Sequence, residues 1–307
     1  MPAFCLLRMR LPAPVKANRL LPVLLSLIVF ACAAPPDPIS QNAPPRRVVS
    51  LVPTVTETLF ALGAGDRIVG VSDFDNFPPE AMERPRVGAL INPNVEMIFQ
   101  LQPDLVITYG TQALLQERLA AAGIRQYPFV TGSIQHVLES IRALGSEMGL
   151  PEEGISLASE IAAALEDIRA ESGENRSRVL LAHSREVGTM GSFYTGGALS
   201  YFDELIEIAG GQNIFGDVDE NTFQPTLEEV IKRAPEVIVE LLPSDSDGRA
   251  RIDQRLADWQ TLAAVPAVRD SRVYVLAGDH LLLVGPRLHL AAAEIAEAIR
   301  GRSLTSN

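Results

Sequence analysis

From residue 46 onward, short apolar runs alternate with stretches in which apolar residues recur every three or four positions. Runs this short and rich in β-branched residues predict buried strands, and the intervening stretches predict amphipathic helices. Their alternation is typical of βα units that build a parallel sheet. The predicted strands are RVVSLV (47–52), RIVGV (67–71), LVIT (105–108), RVLLA (178–182), VIVEL (237–241) and RVYVL (272–276).

One segment of this pattern occurs twice, 132 residues apart, as PNVEMIFQLQPDLVI (93–107) and PTLEEVIKRAPEVIV (225–239). In each copy a good N-cap residue, Asn94 or Thr226, precedes a short helix, a Pro-acidic turn and a buried strand. A weaker similarity pairs ETLFALGAGDRIVG (57–70) with ELIEIAGGQNIFG (204–216). Duplication at this spacing predicts two homologous α/β lobes.

The segment between the two copies predicts a long helix. Within residues 151–172, apolar side chains recur at helical spacing, which indicates about five turns with one buried face. The residues on that face are Ala158, Ile161, Ala162, Leu165 and Ile168. A packed helix is a stiff connection, so we expect the lobes to move little relative to each other.

The first 32 residues have the pattern of an export signal. Four basic residues precede the apolar run LLPVLLSLIVF (20–30), which is too short to span a membrane as a helix. The sequence Val-Phe-Ala before Cys32 resembles a lipobox, which predicts cleavage before that cysteine and its lipidation. Cys5 is the only other cysteine, and the alternative is that Cys32 is a free signal-peptide cysteine that is trimmed away. Residues 33–45 are proline-rich and predict a tether to the membrane.

The net charge and the absence of catalytic motifs argue against several classes of function. Removing residues 1–31 takes away four basic and no acidic residues, so the formal charge would move from −12 to −16. Such a charge argues against nucleic-acid binding and against adhesion to anionic lipid. No G-x-S-x-G motif or P-loop is present, and the Gly63-Ala64-Gly65 segment precedes a strand instead of following one. The motifs therefore do not predict an enzyme. A catalytic lipoprotein and a structural envelope protein remain alternative functions.

No metal site is predicted. The chain's four histidines are scattered, and no two of them have the spacing of metal ligands. They are His136, His183, His280 and His289.

Three motifs together resemble one family. RVVSLVPTVTETLFALGAGDRIVGVSDFDNFPPEA, NPNVEMIFQLQPDLVI and AGGQNIF are similar to the helical-backbone class of periplasmic binding proteins, which serve ABC importers of cobalamin, haem and ferric siderophores. The similarity runs from about residue 46 to 300 and is greatest to the cobalamin-binding branch. It implies two Rossmann-like α/β lobes joined by a single long backbone helix, with a ligand cleft between the lobes.

The resemblance also implies a ligand, partners and boundaries. The expected ligand is cobalamin or a related corrinoid, with haem or a ferric siderophore as the alternative. The expected partners are an ABC permease dimer and its ATPase. The protein itself is expected to be a monomer that is held at the membrane only through its lipid. The expected segments are a signal peptide (1–31), lipidated cysteine and tether (32–45), N-terminal lobe (46–148), backbone helix (149–176), C-terminal lobe (177–302) and tail (303–307).

Matching the corrinoid-binding pattern position by position implies a set of ligand-binding residues, four of them aromatic in a chain with 6% aromatics. Aromatic surface suits a flat, conjugated ligand. The set is Phe74, Tyr109, Tyr194, Phe223, Asp279, His280, Leu281, Leu282 and Leu283. Each of the four aromatic residues could instead belong to the core, the two tyrosines less readily because they lie at the ends of strands. His280 could be a pocket wall, a ligand of a chelated metal, or simply exposed. Cobalamin binders often carry tryptophans at these positions, whereas the only tryptophan of this chain, Trp259, lies outside them.

Glu96 and Glu228 occupy the second helical position of the two repeated segments. A carboxylate there stabilises a helix N-terminus by about 0.3–1 kcal/mol, which would suffice to explain either residue alone. The resemblance implies another role, in which one glutamate per lobe binds an arginine of each permease subunit.

Overall fold

The structure is a computed structural model that describes residues 43–173, 176–244 and 249–301. The predicted signal peptide, Cys32 and the predicted tail at 303–307 lie outside the described residues. Among the described residues, no helix is long and apolar enough to span a bilayer.

The N-terminal lobe is built on a four-stranded parallel sheet in the order β2-β1-β3-β4. Helices connect successive strands along the chain, which is the arrangement that the alternating pattern predicts. The elements are β1 (Val48–Ser50), α1 (Pro53–Ala61), β2 (Ile68–Val71), α2 (Pro79–Met82), α3 (Val95–Gln100), β3 (Leu105–Tyr109), α4 (Ala113–Ala121), β4 (Arg125–Phe129) and α5 (Ile134–Glu147).

The 20-residue helix α6 (Pro151–Ala170) leads from the first sheet to the second, which confirms the predicted backbone helix. At about 1.5 Å per residue it is roughly 30 Å long. Helix α5 packs against α6 along its length, and the two backbones approach closely where Gly145 faces Gly154: a Cβ added to Gly145 would lie 2.8 Å from the Gly154 Cα. The buried face of α5 belongs to the same hydrophobic cluster as α6 and the core of the C-terminal lobe. A helical pair therefore supports the junction between the lobes.

The C-terminal lobe contains a second four-stranded parallel sheet, in the order β7-β5-β9-β10, and a separate two-stranded antiparallel pair, β6-β8. Its elements are β5 (Ser177–His183), β6 (Thr195–Gly196), α7 (Tyr201–Ile208), β7 (Gly211–Asn213), β8 (Thr222–Phe223), α8 (Leu227–Arg233), β9 (Val237–Leu242), α9 (Arg249–Gln260), α10 (Pro266–Arg269), β10 (Val273–Ala277) and α11 (Leu288–Arg300).

The two large sheets have one topology, since in each the first strand lies between the second and the third. The duplication extends to side chains. Asp104 accepts hydrogen bonds from the backbone N–H groups of Arg46 and Arg47 at 2.8 and 2.9 Å, and Glu236 accepts one from the N–H of Arg178 at 2.8 Å. In both copies the acidic residue of the Pro-acidic turn thus holds the start of the first strand of its lobe. The predicted internal repeat is confirmed.

Both faces of each large sheet are buried. Successive residues of β1, Val48 and Val49, belong to different hydrophobic clusters, as do Leu180 and Leu181 of β5. Neighbouring residues of a strand point to opposite faces, so a strand covered on both sides is a continuous apolar run. This explains why the four interior strands are predictable from the sequence, and the two predicted edge strands, β2 and β10, are confirmed as well.

Candidate ligand-binding site

In the N-terminal lobe, Phe74 lies on a turn that follows β2. Asp75 closes this turn by accepting a hydrogen bond from the Ser72 N–H at 2.7 Å, and Arg86 donates to the carbonyl oxygens of Ser72 and Asp75 at 2.6 and 2.8 Å. Burial raises the pKa of the Asp75 carboxyl. The Phe74 side chain is 67% exposed, which excludes the alternative that it belongs to the core. A fixed turn therefore presents an aromatic ring to solvent.

Tyr109 ends β3, at the carboxyl edge of the same sheet. Its backbone N–H donates to the side-chain oxygen of Gln112 at 2.9 Å, and its half-buried ring packs against the core cluster around β1. Burial, with a smaller contribution from the charge of Asp75, raises the pKa of the Tyr109 phenol. Since β2 and β3 both run parallel to β1, Tyr109 and the turn that carries Phe74 lie at the same carboxyl edge of the sheet.

In the C-terminal lobe, Tyr194 lies beside the carboxyl end of β5. It exchanges backbone hydrogen bonds of 2.9 Å with His183, the last residue of that strand, and the two rings stack with centroids 5.9 Å apart. The Phe202 ring also contacts the imidazole, with the ring centroids 5.3 Å apart. Burial lowers the pKa of His183 to about 4, so the imidazole is neutral at neutral pH. Tyr194 is 38% exposed and forms the outer layer of this aromatic cluster.

Phe223 is half-buried and has a different environment. It lies in β8 opposite Thr195, whose side chain is buried, and its ring meets Phe215 edge to face at 5.3 Å. Directly opposed residues of an antiparallel pair point to the same face, and neighbours along a strand point to opposite faces. The ring therefore lies on the Thr195 side of this pair, and Tyr194 lies on the other side.

The predicted loop 279–283 follows β10 and begins as a short 3-10 turn over Asp279–Leu281. Asp279 accepts a hydrogen bond from the backbone N–H of Ser244 at 2.9 Å, and the Leu281 side chain is buried in the lobe's core. The Nε2 of His280 lies 2.8 Å from a carboxylate oxygen of Glu294 on α11, so His280 is partnered within its own lobe. Leu282 and Leu283 are half-buried, and the Leu282 carbonyl accepts from the Tyr201 hydroxyl at 3.3 Å.

Glu96 and Glu228 are exposed at the starts of α3 and α8. Other residues make the caps: Asn94 accepts from the Met97 N–H at 3.0 Å, and Thr226 forms a capping box with Glu229. The predicted N-caps Asn94 and Thr226 are confirmed, and the capping box does not include Glu228.

A buried charge network that was not predicted from the sequence begins at Arg185, two residues after His183 of the aromatic cluster. Glu240 of β9 accepts hydrogen bonds from Arg185 at 2.9 Å, from Arg255 at 2.6 Å and from the Trp259 indole at 2.7 Å. Asp258 binds the other end of the Arg185 guanidinium at 2.8 Å. The available signal was a glutamate inside the apolar run VIVELL, because a charge in a fully buried strand requires partners.

The described residues contain no group of three or more histidines, cysteines or carboxylates that could hold a metal ion. The candidate site consists of aromatic and apolar surface at the carboxyl edges of two parallel sheets, where α/β folds commonly bind ligands.

Known proteins show the same organisation. The family model for periplasmic binding proteins matches residues 48–279. A vitamin B12-binding protein of Vibrio parahaemolyticus is 29% identical over 83% of this chain and 90% of the relative. An uncharacterised ABC transporter substrate-binding lipoprotein of Bacillus subtilis, YvrC, is 30% identical over 83% of this chain and 80% of its own length.

Two solved structures extend the comparison. The periplasmic vitamin B12-binding protein BtuF of Vibrio cholerae is 28% identical, with a TM-score of 0.70 over 84% of this chain and 97% of that protein. The periplasmic haem-binding protein RhuT of Roseiflexus is 26% identical, with a TM-score of 0.70 over 83% of this chain and 98% of that one. Members of this family are exported, substrate-binding transport proteins and not enzymes. With two lobes of one topology, a backbone helix and a family match across both lobes, this chain belongs to the periplasmic binding protein family and is a substrate-binding protein of the ABC type.

Proposed function

We propose that this protein binds cobalamin or a related corrinoid in the cleft between its lobes and delivers it to an ABC permease dimer with its ATPase. It acts as a monomer and catalyses no reaction itself. The observation that carries the proposal is the placement of aromatic side chains at the carboxyl edges of both sheets: Phe74 and Tyr109 in one lobe, Tyr194 in the other. Two such walls suit a large, flat, conjugated ligand, which ring surface binds by area and stacking.

Similarity to vitamin B12-binding proteins favours a corrinoid over the other metal chelates. Haem or a ferric siderophore is the alternative, which the similarity to the haem-binding protein RhuT supports. Titration of the purified protein with cyanocobalamin, haemin and a ferric hydroxamate siderophore separates the two. Binding of cyanocobalamin at least about tenfold tighter than the others supports the corrinoid; preferential binding of haemin or the siderophore would select the alternative.

Tyr109→Ala and Tyr194→Ala should each weaken binding of cyanocobalamin. A stacked ring contributes on the order of 0.5–1.5 kcal/mol beyond its buried area, so each variant should lose roughly fivefold or more in affinity, measured by isothermal titration calorimetry.

Tyr127→Ala is the matched control for Tyr109→Ala. Tyr127 is half-buried and packs against the same hydrophobic cluster, but it lies in the middle of β4 and not at the end of a strand. It should lower the melting temperature without changing the affinity. If Tyr109→Ala behaved in the same way, with normal affinity of the folded protein, Tyr109 would be a core residue only.

We also propose that Cys32 carries a lipid that anchors the protein to the membrane, as the lipobox-like segment and the similarity to the lipoprotein YvrC suggest. Cys32→Ala should abolish incorporation of labelled palmitate and shift the protein from the membrane fraction to the soluble or unprocessed fraction. Equal labelling of the variant would contradict the anchor.

A further inference from the structure

An ion pair joins the two lobes at a place separate from the α5–α6 pair. Arg287, which precedes α11 in the C-terminal lobe, donates from Nε and Nη2 to the two carboxylate oxygens of Glu57 on α1, at 2.8 and 2.5 Å. The two residues are 230 positions apart, and their side chains are 18% and 3% exposed. Each lobe therefore contributes one charge to a bidentate pair that is largely shielded from water.

The same guanidinium contacts a second segment of the N-terminal lobe. Its central carbon lies 3.9 Å from the centroid of the Phe77 ring. Phe77 is three residues beyond Phe74, and Arg287 is four residues beyond Leu283. Arg287 thus connects the two segments that carry predicted ligand-binding residues, one in each lobe.

The backbones beside the ion pair are also in contact. A Cβ added to Gly285 would lie 3.1 Å from the Thr54 methyl carbon and 3.5 Å from the Thr54 carbonyl oxygen. The first of these distances is tighter than most real Cβ contacts, so with a side chain at this position the Thr54 methyl group would have to shift by a few tenths of an ångström.

A third contact lies elsewhere along the junction. The carboxylate of Glu204 on α7 accepts from the backbone N–H of Ile134, the first residue of α5, at 3.2 and 3.3 Å. Two polar contacts at different points, together with the packing of α6, restrict rotation as well as separation of the lobes.

We propose that Arg287 is a positioning residue that fixes the lobes relative to each other and so sets the width of the ligand cleft before ligand binds. A planar guanidinium held by a bidentate carboxylate and an aromatic ring has one favourable orientation. A shift of either lobe disrupts both contacts at once and leaves the Glu57 carboxylate buried without its partner, which is unfavourable. The effect on lobe arrangement is independent of the ligand; only the effect on affinity rests on the proposed function.

Arg287→Met tests this by hydrogen–deuterium exchange on the full-length, ligand-free protein. Exchange should become about tenfold faster at protected amides beside the contact in both lobes. Those amides are Asp73, Ala81 and Leu288, which donate to the carbonyl oxygens of Gly88, Pro78 and Gly285. Amides within β3 and β9 should be unchanged.

Arg233→Met is a closely matched control. Arg233 pairs with both oxygens of Asp217 and lies 4.7 Å from the centroid of Phe215, but all three residues belong to the C-terminal lobe. It should leave exchange at Asp73 and Ala81 unaffected. Gly285→Ala, which keeps both charges and only widens the contact, should reproduce the Arg287→Met pattern to a smaller extent and serves if Arg287→Met fails to fold.

The affinity for cyanocobalamin is measured on the same variants, and Arg287→Met should weaken it at least about threefold. Failure of the unmodified protein to bind cyanocobalamin would contradict the proposed ligand and leave the exchange result to decide the role of Arg287. Unchanged exchange at Asp73 and Ala81 in both Arg287→Met and Gly285→Ala, or changes confined to the C-terminal lobe, would overturn the inference.

Discussion

Glu240→Ala should lower the free energy of unfolding by about 3–5 kcal/mol, as the removal of one partner from a buried ionic network does. The Glu240 side chain is fully buried and accepts from Arg185, Arg255 and Trp259. Without it, the Arg185 and Arg255 guanidinium groups lose the carboxylate that they share in the interior. For a domain whose total stability is about 5–15 kcal/mol, this loss is measurable by urea unfolding followed by circular dichroism.

Glu240→Gln and Asp270→Ala define the scale of this effect. Glutamine keeps the shape and one acceptor for the Trp259 indole, so it should cost less than alanine. Asp270 pairs with Arg269 on the surface, where both side chains are more than half exposed, so its loss should lower the stability far less than the loss of Glu240 does. A Glu240→Ala protein as stable as Asp270→Ala would mean that the network contributes no net stability.

The network also bears on the candidate site. Arg185 follows Ser184, whose φ of +55° is uncommon for a residue with a side chain. The charge network holds the chain in this conformation directly after His183, the residue on which Tyr194 stacks. Since the Tyr194 ring is supported through this segment, we infer that the network maintains one aromatic wall of the cleft.

Reversing the charges of the two exposed glutamates, with Glu96→Arg and Glu228→Arg together, should reduce transport of the ligand by roughly 100-fold or more. We propose that each glutamate binds a permease arginine through a charge-assisted contact, and arginine at the same place would repel it. Because two attached lobes act as a bivalent partner, the double variant should lose far more transport than either single one. Uptake into cells or vesicles measures the effect, and affinity for the ligand should stay normal.

Glu152→Arg separates docking from helix stabilisation. Glu152 is exposed and, like Glu96 and Glu228, is the second residue of its helix. Its reversal should remove the same helix-terminal stabilisation, about 0.3–1 kcal/mol, and leave transport intact. Normal uptake by the Glu96→Arg and Glu228→Arg double variant would mean that both glutamates only stabilise the N-termini of their helices.

Hydrophobic patterning by itself determined the architecture. The six strands that it predicted include every interior strand of the two large sheets, β1, β3, β5 and β9, and the offset of 132 residues predicted that the lobes are duplicates. Interior strands are covered on both faces, so their consecutive residues are buried and mostly apolar. The strands that were not predicted do not need a continuous apolar run, because they are short or lie at a sheet edge. Strand β4 is an edge strand with Pro128 in it, β7 is a three-residue edge strand, and β6 and β8 have two residues each.

The sequence also predicts where along the chain the candidate site lies, because the predicted aromatic positions follow strands or flank them. It could not assign their environments. Phe74 and Phe223 both occur in polar segments, yet the first is 67% exposed and the second packs on Phe215. His280 is bound to Glu294 on α11, a contact that depends on how that helix docks.

Only the tertiary structure decided which charges meet. Glu240 and Arg185 are 55 positions apart, and Glu57 and Arg287 are 230 apart. Local sequence determines strands and helices through backbone geometry and the period of burial. A buried ion pair has no such period. Its partners meet only after helices have packed on sheets and one lobe has packed on the other, so the pairs that hold the candidate site in place leave no pattern along the chain.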